Sequence, residues 1–143
     1  MLTLIDEFSR KCLTIHCARR IGSIQVIEQL ANAMIENGIP EHIRSDNGPE
    51  FISHALDMWA EEHGIKLDFI KPGKPTQNAY IERFNRTYRN EVLDCYLFNS
   101  LTEVREITDN WLEEYNYDRP HESLNDLPPK LYERLNKENS LKI

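Results

Sequence analysis

Two carboxylates, Asp46 and Glu82, have a type and a setting that suit metal-assisted chemistry. Asp46 follows the β-prone run His42–Ser45 and precedes an Asn-Gly pair that forms turns, so it should stand at the carboxyl end of a strand, where α/β sheets bind ligands. Glu82 falls one turn inside a predicted helix. Hard oxygen ligands on separate elements suit Mg²⁺ or Mn²⁺, and two such ions can activate a water or a 3′-hydroxyl in phosphodiester transfer.

Each of these two acids also has a simpler explanation. An Asp before Asn-Gly is common in turns, and a Glu in the first turn of a helix often only complements the helix dipole. The two residues by themselves therefore leave both a metal site and these structural roles open.

The charge of the chain is unevenly distributed. The formal net charge of the 143 residues is −7, but the segment Lys66–Asn90, here called the basic window, carries six basic and two acidic residues, a net +4. Its basic residues are Lys66, Lys71, Lys74, Arg83, Arg86 and Arg89. Because phosphate contacts are local, such a strip can bind DNA on an acidic body, while a solvated surface cluster is the alternative.

Length and composition indicate one compact domain without a membrane span. The chain is long enough for one ordinary domain, and no apolar run approaches the ~20 residues of a membrane helix. The first ten residues are strand-like and acidic, unlike a signal peptide. Three cysteines without a C-x-x-C pair argue against a disulfide framework or a zinc ribbon, and reduced thiols favour the cytosol.

Strands alternate with helices after an opening hairpin. The runs Leu2–Ile5 and Cys12–His16 predict this hairpin, with a turn at Asp-Glu-Phe-Ser-Arg. The elements predicted next are a helix capped by Ser23 and stopped at Gly38, the strand His42–Ser45, a helix from Ser53 to Gly64 and the strand Lys66–Ile70. A loop over Lys71–Gln77 then leads to a helix from Asn78 to about Leu93. The last predicted elements are a helix begun by a Ser100–Glu103 capping box, an irregular stretch Arg119–Asn125 and a helix after Pro128-Pro129. This order predicts a three-layer α/β domain.

Several motifs resemble, in order and spacing, those of DDE transposases and retroviral integrases. Asp46 and Glu82, with 35 residues between them, resemble the second and third acids of the DDE motif. Further segments resemble the transposases of bacterial insertion sequences with two overlapping reading frames. These segments are Ile43–Phe51, Lys71–Asn85, Tyr115-Asn116, Arg119-Pro120-His121 and the Asp6-x-x-Ser9-Arg10 hairpin. The resemblance covers essentially all 143 residues.

The resemblance implies a metal-dependent recombinase with a ribonuclease H-like fold. It implies Mg²⁺ or Mn²⁺ held by the catalytic residues Asp46 and Glu82, hydrolysis of DNA followed by transesterification, and no covalent protein–DNA intermediate. It also implies DNA ends and target DNA as partners, assembly as a homo-oligomer on DNA, and a bacterial cytosolic location. The residues expected to contact DNA are Lys71, Lys74, Asn78, Asn85, Arg86 and Arg89.

The first catalytic Asp of this family has no counterpart in the sequence. In the family it lies on the first strand, which is central in the strand order three, two, one, four, five. Asp6 lies in the hairpin turn, where family members carry a non-catalytic Asp. We therefore expect a ribonuclease H-like core over residues 1–118 without its central strand, a helical tail over residues 119–143 packed on it, and no activity of the chain by itself.

The sequence leaves two other interpretations open. In the first, the chain is an inactive remnant or a captured domain that only binds DNA or partner transposases. The second, a metal-independent interaction domain, would leave the Asp46–Glu82 spacing unexplained.

His121 is interpreted as a turn histidine that docks the tail, with a general base or ligand as the alternative.

Overall fold

The computed structural model describes residues 1–71 and 73–137, and its elements follow the predicted order. The strands are β1 (Leu2–Ile5), β2 (Cys12–His16), β3 (His42–Ser45) and β4 (Lys66–Phe69). The helices are α1 (Ser23–Asn37), α2 (His54–Glu62), α3 (Ala79–Tyr88), α4 (Leu101–Glu113) and α5 (Pro129–Lys137). Short 3₁₀ segments lie at Pro75–Asn78 and Glu122–Leu124, and π-helical turns at Arg89–Leu93 and Glu114–Asp118. Among the described residues, no helix combines the length and apolarity that crossing a membrane requires.

The four strands form two separate two-stranded sheets in the described part of the chain. β1 pairs with β2 in antiparallel fashion, as predicted, and Leu2 lies opposite His16. β3 pairs with β4 in parallel, with His42 opposite Lys66. Within residues 1–71 and 73–137, no strand joins β1 to β3. Each of these two strands therefore keeps one edge without a strand partner in this structure, as expected for a sheet whose central strand is not among these residues.

Two hydrophobic cores lie on opposite faces of the hairpin. The α3–α4 core contains the buried residues Cys12, Ile15, Cys17, Phe84, Tyr88, Val92 and Tyr115. The α1–α2 core contains the buried residues Leu2, Val26, Leu30 and Leu56, and the partly buried Ile43 and Leu67 of β3 and β4 pack against it. Successive side chains of a strand point to opposite faces, so the hairpin contributes to both cores.

The helix ends follow most of the predicted caps. The hydroxyl of Ser53 accepts a bond from the Leu56 amide at 3.1 Å, and that of Ser100 accepts from the Glu103 amide at 3.2 Å, so both N-caps are confirmed. The Glu103 carboxylate accepts from the Asn99 amide at 3.0 Å and not from that of Ser100, so the reciprocal half of the predicted capping box is not formed among the described residues. The prediction that Ser23 caps α1 is wrong by one residue. The cap is Gly22, because the side chain of Gln25 accepts a bond from the Gly22 amide at 2.9 Å and starts the helix earlier.

The tail packs against the turn of the hairpin. The Lys11 ammonium lies 3.6 Å from the Glu133 carboxylate of α5, and the rings of Phe8 and Tyr132 lie 5.5 Å apart. The predicted boundary of the tail at residue 119 stays a prediction, and residues 138–143 lie outside the described part of the chain.

Candidate active site

Asp46 lies at the carboxyl end of β3, where the sequence predicted it. One carboxylate oxygen accepts a hydrogen bond from the Gly48 amide at 2.9 Å. The neighbouring Asn47 donates from its amide to the Ile70 carbonyl at 3.0 Å, which ties the loop to the end of β4. Asp46 is exposed, and no ion pair to it is seen in the described residues. Its other carboxylate oxygen is therefore available to a ligand.

Glu82 lies in the first turn of α3 and is exposed. The helix is anchored two residues later, where the ring of Phe84 meets Tyr115 at 5.0 Å and Trp111 at 5.6 Å. Within residues 1–71 and 73–137, Glu82 makes neither a hydrogen bond nor an ion pair with its side chain. The carboxylate thus lies in the first turn of a helix whose later residues are anchored in the aromatic core, and it remains unpaired there, as a metal ligand should be.

The turn of the hairpin, residues 6–11, is here called the hairpin tip. The Asp6 carboxylate accepts bonds from the Ser9 amide at 3.0 Å and the Ser9 hydroxyl at 2.5 Å. Arg10 follows in the left-handed conformation, with φ at 61°. Asp6 is therefore used by the turn itself, in agreement with the interpretation that it does not replace the first catalytic Asp.

The hairpin tip contacts both elements that carry the acids. The guanidinium of Arg44, two residues before Asp46, lies 3.2 Å from the Glu7 carboxylate. The guanidinium of Arg10 lies 3.6 Å from the ring centre of Tyr80, two residues before Glu82. Asp46 and Glu82 thus lie on elements that meet the same six-residue turn.

The chemistry of the two acids fits a divalent metal as a partial ligand set. Mg²⁺ is usually bound through one or two carboxylates, with water and phosphate oxygens as its other ligands. Among the described residues, no group of three or more His, Cys, Asp or Glu side chains is close enough to hold a metal ion. Two exposed carboxylates without ion pairs are compatible with a site that is completed by substrate and by further residues.

The basic window presents a stripe of cations beside Glu82. Arg86 of α3 and Arg89, the first residue of the π-helical turn that continues it, follow Glu82 by four and seven residues, so they lie on the same side as Glu82. Both arginines are exposed, and neither makes an ion pair with any described residue. Lys71 and Lys74 are exposed in the preceding loop.

The two asparagines of the predicted DNA-binding set have a different environment. Asn78 is half-buried just before α3, and Asn85 is half-buried inside it. The side-chain carbonyl oxygen of Asn85 is buried and without a hydrogen bond in the described structure. Direct contacts of these two residues with DNA stay predictions, and the inward position of Asn85 makes its case the weaker one.

The contacts of Arg119 were not predicted from the sequence. Its guanidinium binds both oxygens of Glu91 at 3.0 and 2.6 Å, and both oxygens of Glu114 at 3.2 and 2.8 Å. Glu91 also accepts a bond from the Trp111 ring nitrogen at 2.8 Å. These bonds join the tail to the ends of α3 and α4.

His121 lies against the ring of Tyr115, and the ring centres are 4.8 Å apart. Burial lowers the pKa of His121 from its ordinary value. This placement agrees with the docking role proposed for His121, and it puts the residue in the aromatic cluster around Phe84 and Tyr115 rather than beside Asp46.

Two family models described as the integrase core domain match the chain, over residues 1–75 and residues 63–129. Among its relatives are an insertion element IS476 protein of Xanthomonas euvesicatoria and an insertion element IS407 protein of Burkholderia multivorans. Each is 42% identical over 128 residues, which are 90% of this chain and 37% and 46% of those proteins. The chain thus spans less than half the length of these relatives.

Solved retroviral integrases share the fold at low sequence identity. A chain of the simian T-cell lymphotropic virus intasome superposes with a TM-score of 0.76 at 20% identity, over 91% of this chain and 46% of that one. The HTLV-2 integrase catalytic core in complex with magnesium gives 0.69 at 21% identity, over 90% of this chain and 80% of that one. The ribonuclease H-like fold predicted from the sequence is therefore confirmed.

Proposed function

Since this chain belongs to the integrase core domain family, we propose that it is part of the catalytic core of an insertion-sequence transposase. In this proposal Asp46 and Glu82 are two of three carboxylates that bind Mg²⁺ or Mn²⁺. The observation that carries it is the pair of exposed acids without ion pairs on two elements that meet one hairpin tip. The substrates are the DNA ends of the element and the target DNA.

The residues of this chain have distinct tasks in such a reaction. The metal, when bound, supplies Lewis-acid stabilisation of charge on the attacking and leaving oxygens. Asp46 and Glu82 hold it, and the amino end of α3 favours negative charge beside Glu82. Arg86 of α3 and Arg89 of the π-helical turn after it bind DNA phosphates on the same side as Glu82 and so fix the strand relative to Glu82. Water attacks the phosphorus and breaks its bond to the 3′-oxygen, which leaves as a 3′-hydroxyl. This hydroxyl then attacks a phosphodiester of the target, and the 3′-oxygen of the target strand leaves.

The remaining carboxylate, the first catalytic Asp of the family, belongs on a strand between β1 and β3. Both strands keep an edge without a strand partner in the described structure, so an extended segment placed there would pair with both. We propose that residues 1–143 by themselves neither cleave nor join DNA, because one bridging carboxylate is not among them. The whole protein is proposed to act as a homo-oligomer on DNA in the bacterial cytosol; the similar HTLV-2 core is described in trimeric and dimeric forms.

The alternative is a remnant that binds DNA or partner transposases without binding metal. DNA binding by the exposed Arg86 and Arg89 is expected of both alternatives, so it does not distinguish them. Metal binding at the two acids separates them, because a DNA-binding remnant has no need for it.

A titration with Mn²⁺ monitored by NMR tests the proposal on the chain as it is. We expect paramagnetic broadening of amide signals to centre on Asp46 and Glu82 together. Asp46→Asn and Glu82→Gln should each weaken the binding, because one of two ligands is lost. Glu36→Gln, which removes an exposed acid from α1, is the matched control. Broadening that is absent, or that centres on other acids, would favour the remnant.

A further inference from the structure

We propose that the hairpin tip positions Glu82 by holding the first turn of α3 through the contact between Arg10 and Tyr80. The inference gives the Asp6-x-x-Ser9-Arg10 motif a role that is not catalytic. It rests on the proposed function only in taking Glu82 as a metal ligand. Arg10 is a positioning residue in this scheme, because it acts on Glu82 through Tyr80.

The first turn of α3 is weakly fixed by its own sequence. Asn78 stands at the cap position but makes no capping bond with its side chain, and a 3₁₀ turn over Pro75–Asn78 precedes the helix. Without a side-chain cap, the amides of a helix start rely on water or on an adjoining 3₁₀ turn, whose hydrogen bonds have poorer geometry. Glu82 lies in this first turn, so its position depends on contacts from outside the helix.

The contact from outside the helix comes from Arg10. Its guanidinium carbon lies 3.6 Å from the ring centre of Tyr80, the second residue of α3. This is within the range in which a cation is attracted to the face of an aromatic ring. Tyr80 is 44% exposed, so this is a surface contact and not part of either hydrophobic core.

The backbone of Arg10 supports a role for its side chain. Arg10 has a φ of 61°, a conformation that is unfavourable for residues with a Cβ and free of strain for glycine. The turn keeps it there, because the Arg10 amide donates to the Asp6 carbonyl at 2.8 Å while Ser9 binds the Asp6 carboxylate. The hydrogen bonds of the turn hold Arg10 in this conformation, in which its side chain reaches Tyr80 of α3.

The same tip also reaches the strand that carries the other acid. Glu7 pairs with Arg44 of β3 at 3.2 Å, two residues before Asp46. The hairpin tip therefore contacts the supports of both acids, and we infer that it sets their mutual position. A direct contact of Arg10 with a DNA phosphate is the competing role.

Two substitutions of Tyr80 form the matched pair of the test. Tyr80→Leu removes the ring, whereas Tyr80→Phe keeps it and removes only the hydroxyl. For Tyr80→Leu we expect amide hydrogen exchange at Ile81–Arg83 to rise about two- to fivefold, the factor to which ~0.5–1 kcal/mol of an exposed cation–π contact corresponds. Mn²⁺ broadening at Glu82 should then need more metal, while the same effect at Asp46 changes less. Tyr80→Phe should behave as the unaltered chain.

Arg10→Gly separates positioning from overall stability. The glycine relieves the left-handed strain, so the melting temperature should stay or rise while exchange at Ile81–Arg83 increases as in Tyr80→Leu. A fall in melting temperature with unchanged exchange would overturn the proposal in favour of a merely structural turn.

Two outcomes separate this inference from its foundation and from its competitor. If the unaltered chain shows no Mn²⁺ effect at Glu82, the proposed function fails, while the exchange rates still decide whether the contact holds α3. If Tyr80→Leu leaves exchange unchanged and Arg10→Gly only weakens DNA binding, Arg10 is a phosphate contact and the positioning role is wrong.

Discussion

Asn116 bonds both backbone groups of Cys12, a residue 104 positions earlier in the chain. Its side-chain oxygen accepts the Cys12 amide at 2.9 Å, and its side-chain nitrogen donates to the Cys12 carbonyl at 2.9 Å. An amide side chain thus takes the place that a neighbouring strand would have beside β2. The Tyr115-Asn116 motif therefore serves the fold, since Tyr115 lies in the α3–α4 core.

Asn116→Ala should destabilise the protein strongly. It leaves the amide and the carbonyl of Cys12 buried without partners, at about 1–3 kcal/mol each. Urea unfolding followed by tryptophan fluorescence measures the loss. Asn110→Ala on the exposed side of α4 is the control and should change the free energy of unfolding little. Equal stability of the two variants would show that water replaces the Asn116 amide.

The ion pair between Glu91 and Arg119 should make stability depend on pH in the acid range. Hydrogen bonds from Arg119 are the main cause that lowers the pKa of Glu91 below its ordinary value. A carboxyl whose pKa is lower in the folded state stabilises the fold above its unfolded pKa, roughly 4, and loses that contribution as the pH falls through the lowered value. Glu91→Gln should therefore be less stable than the unaltered chain at pH 7.

The difference between these two proteins should shrink as the pH falls below the unfolded pKa of roughly 4, and urea midpoints across that range measure it. Glu106→Gln, an exposed residue of α4, is the control and should show no such convergence. A gap that is constant with pH would mean that Glu91 contributes through its shape and not through its charge.

Replacing Arg86 and Arg89 by Ala should weaken DNA binding equally for all sequences. Phosphate contacts release counterions, so the slope of log affinity against log salt should fall by about 2 for two lost contacts. Filter binding at several salt concentrations measures the slope. The control replaces Arg19 and Arg20, two exposed residues after β2, by Ala. This double substitution changes the net charge by the same amount. Equal effects of both double variants would show that Arg86 and Arg89 act only through the net charge of the protein and not through specific phosphate contacts.

The edges of β1 and β3 that lack a strand partner should make the isolated chain associate with itself. Each buried backbone group without a partner costs about 1–3 kcal/mol, and pairing with another molecule satisfies it. Sedimentation should detect dimers or aggregates, and hydrogen exchange should find the hairpin the least protected region. A monomer with one cooperative melt and a hairpin as protected as β3 would contradict this prediction.

Local signals allowed much of this fold to be predicted from the sequence. The hairpin, the strand that ends at Asp46 and the Ser53 and Ser100 caps depend on neighbours within a few residues. The sequence predicted one helix from Asn78 to Leu93, whereas α3 ends at Tyr88 and a π-helical turn follows. The apolar spacing of four residues fits both conformations, so periodicity did not distinguish them.

The contacts that surround the candidate site join residues that are far apart in the sequence. Arg10 meets Tyr80 across 70 positions, and Arg119 meets Glu91 across 28. No local pattern encodes such pairings, because they depend on how the cores bring distant segments together. The sequence predicted Asp46 and Glu82 as metal ligands, and the structure was needed to find the contacts around the elements that carry them.

The two faces of the hairpin have a consequence for how this molecule responds to force. Asp46 travels with the α1–α2 core through Ile43, and Glu82 travels with the α3–α4 core through Phe84. The two halves are joined by the hairpin and not by a continuous sheet in the described residues. We therefore expect the spacing of the two acids to follow the hairpin, so that a load that bends the hairpin should alter the distance between them while both cores stay intact.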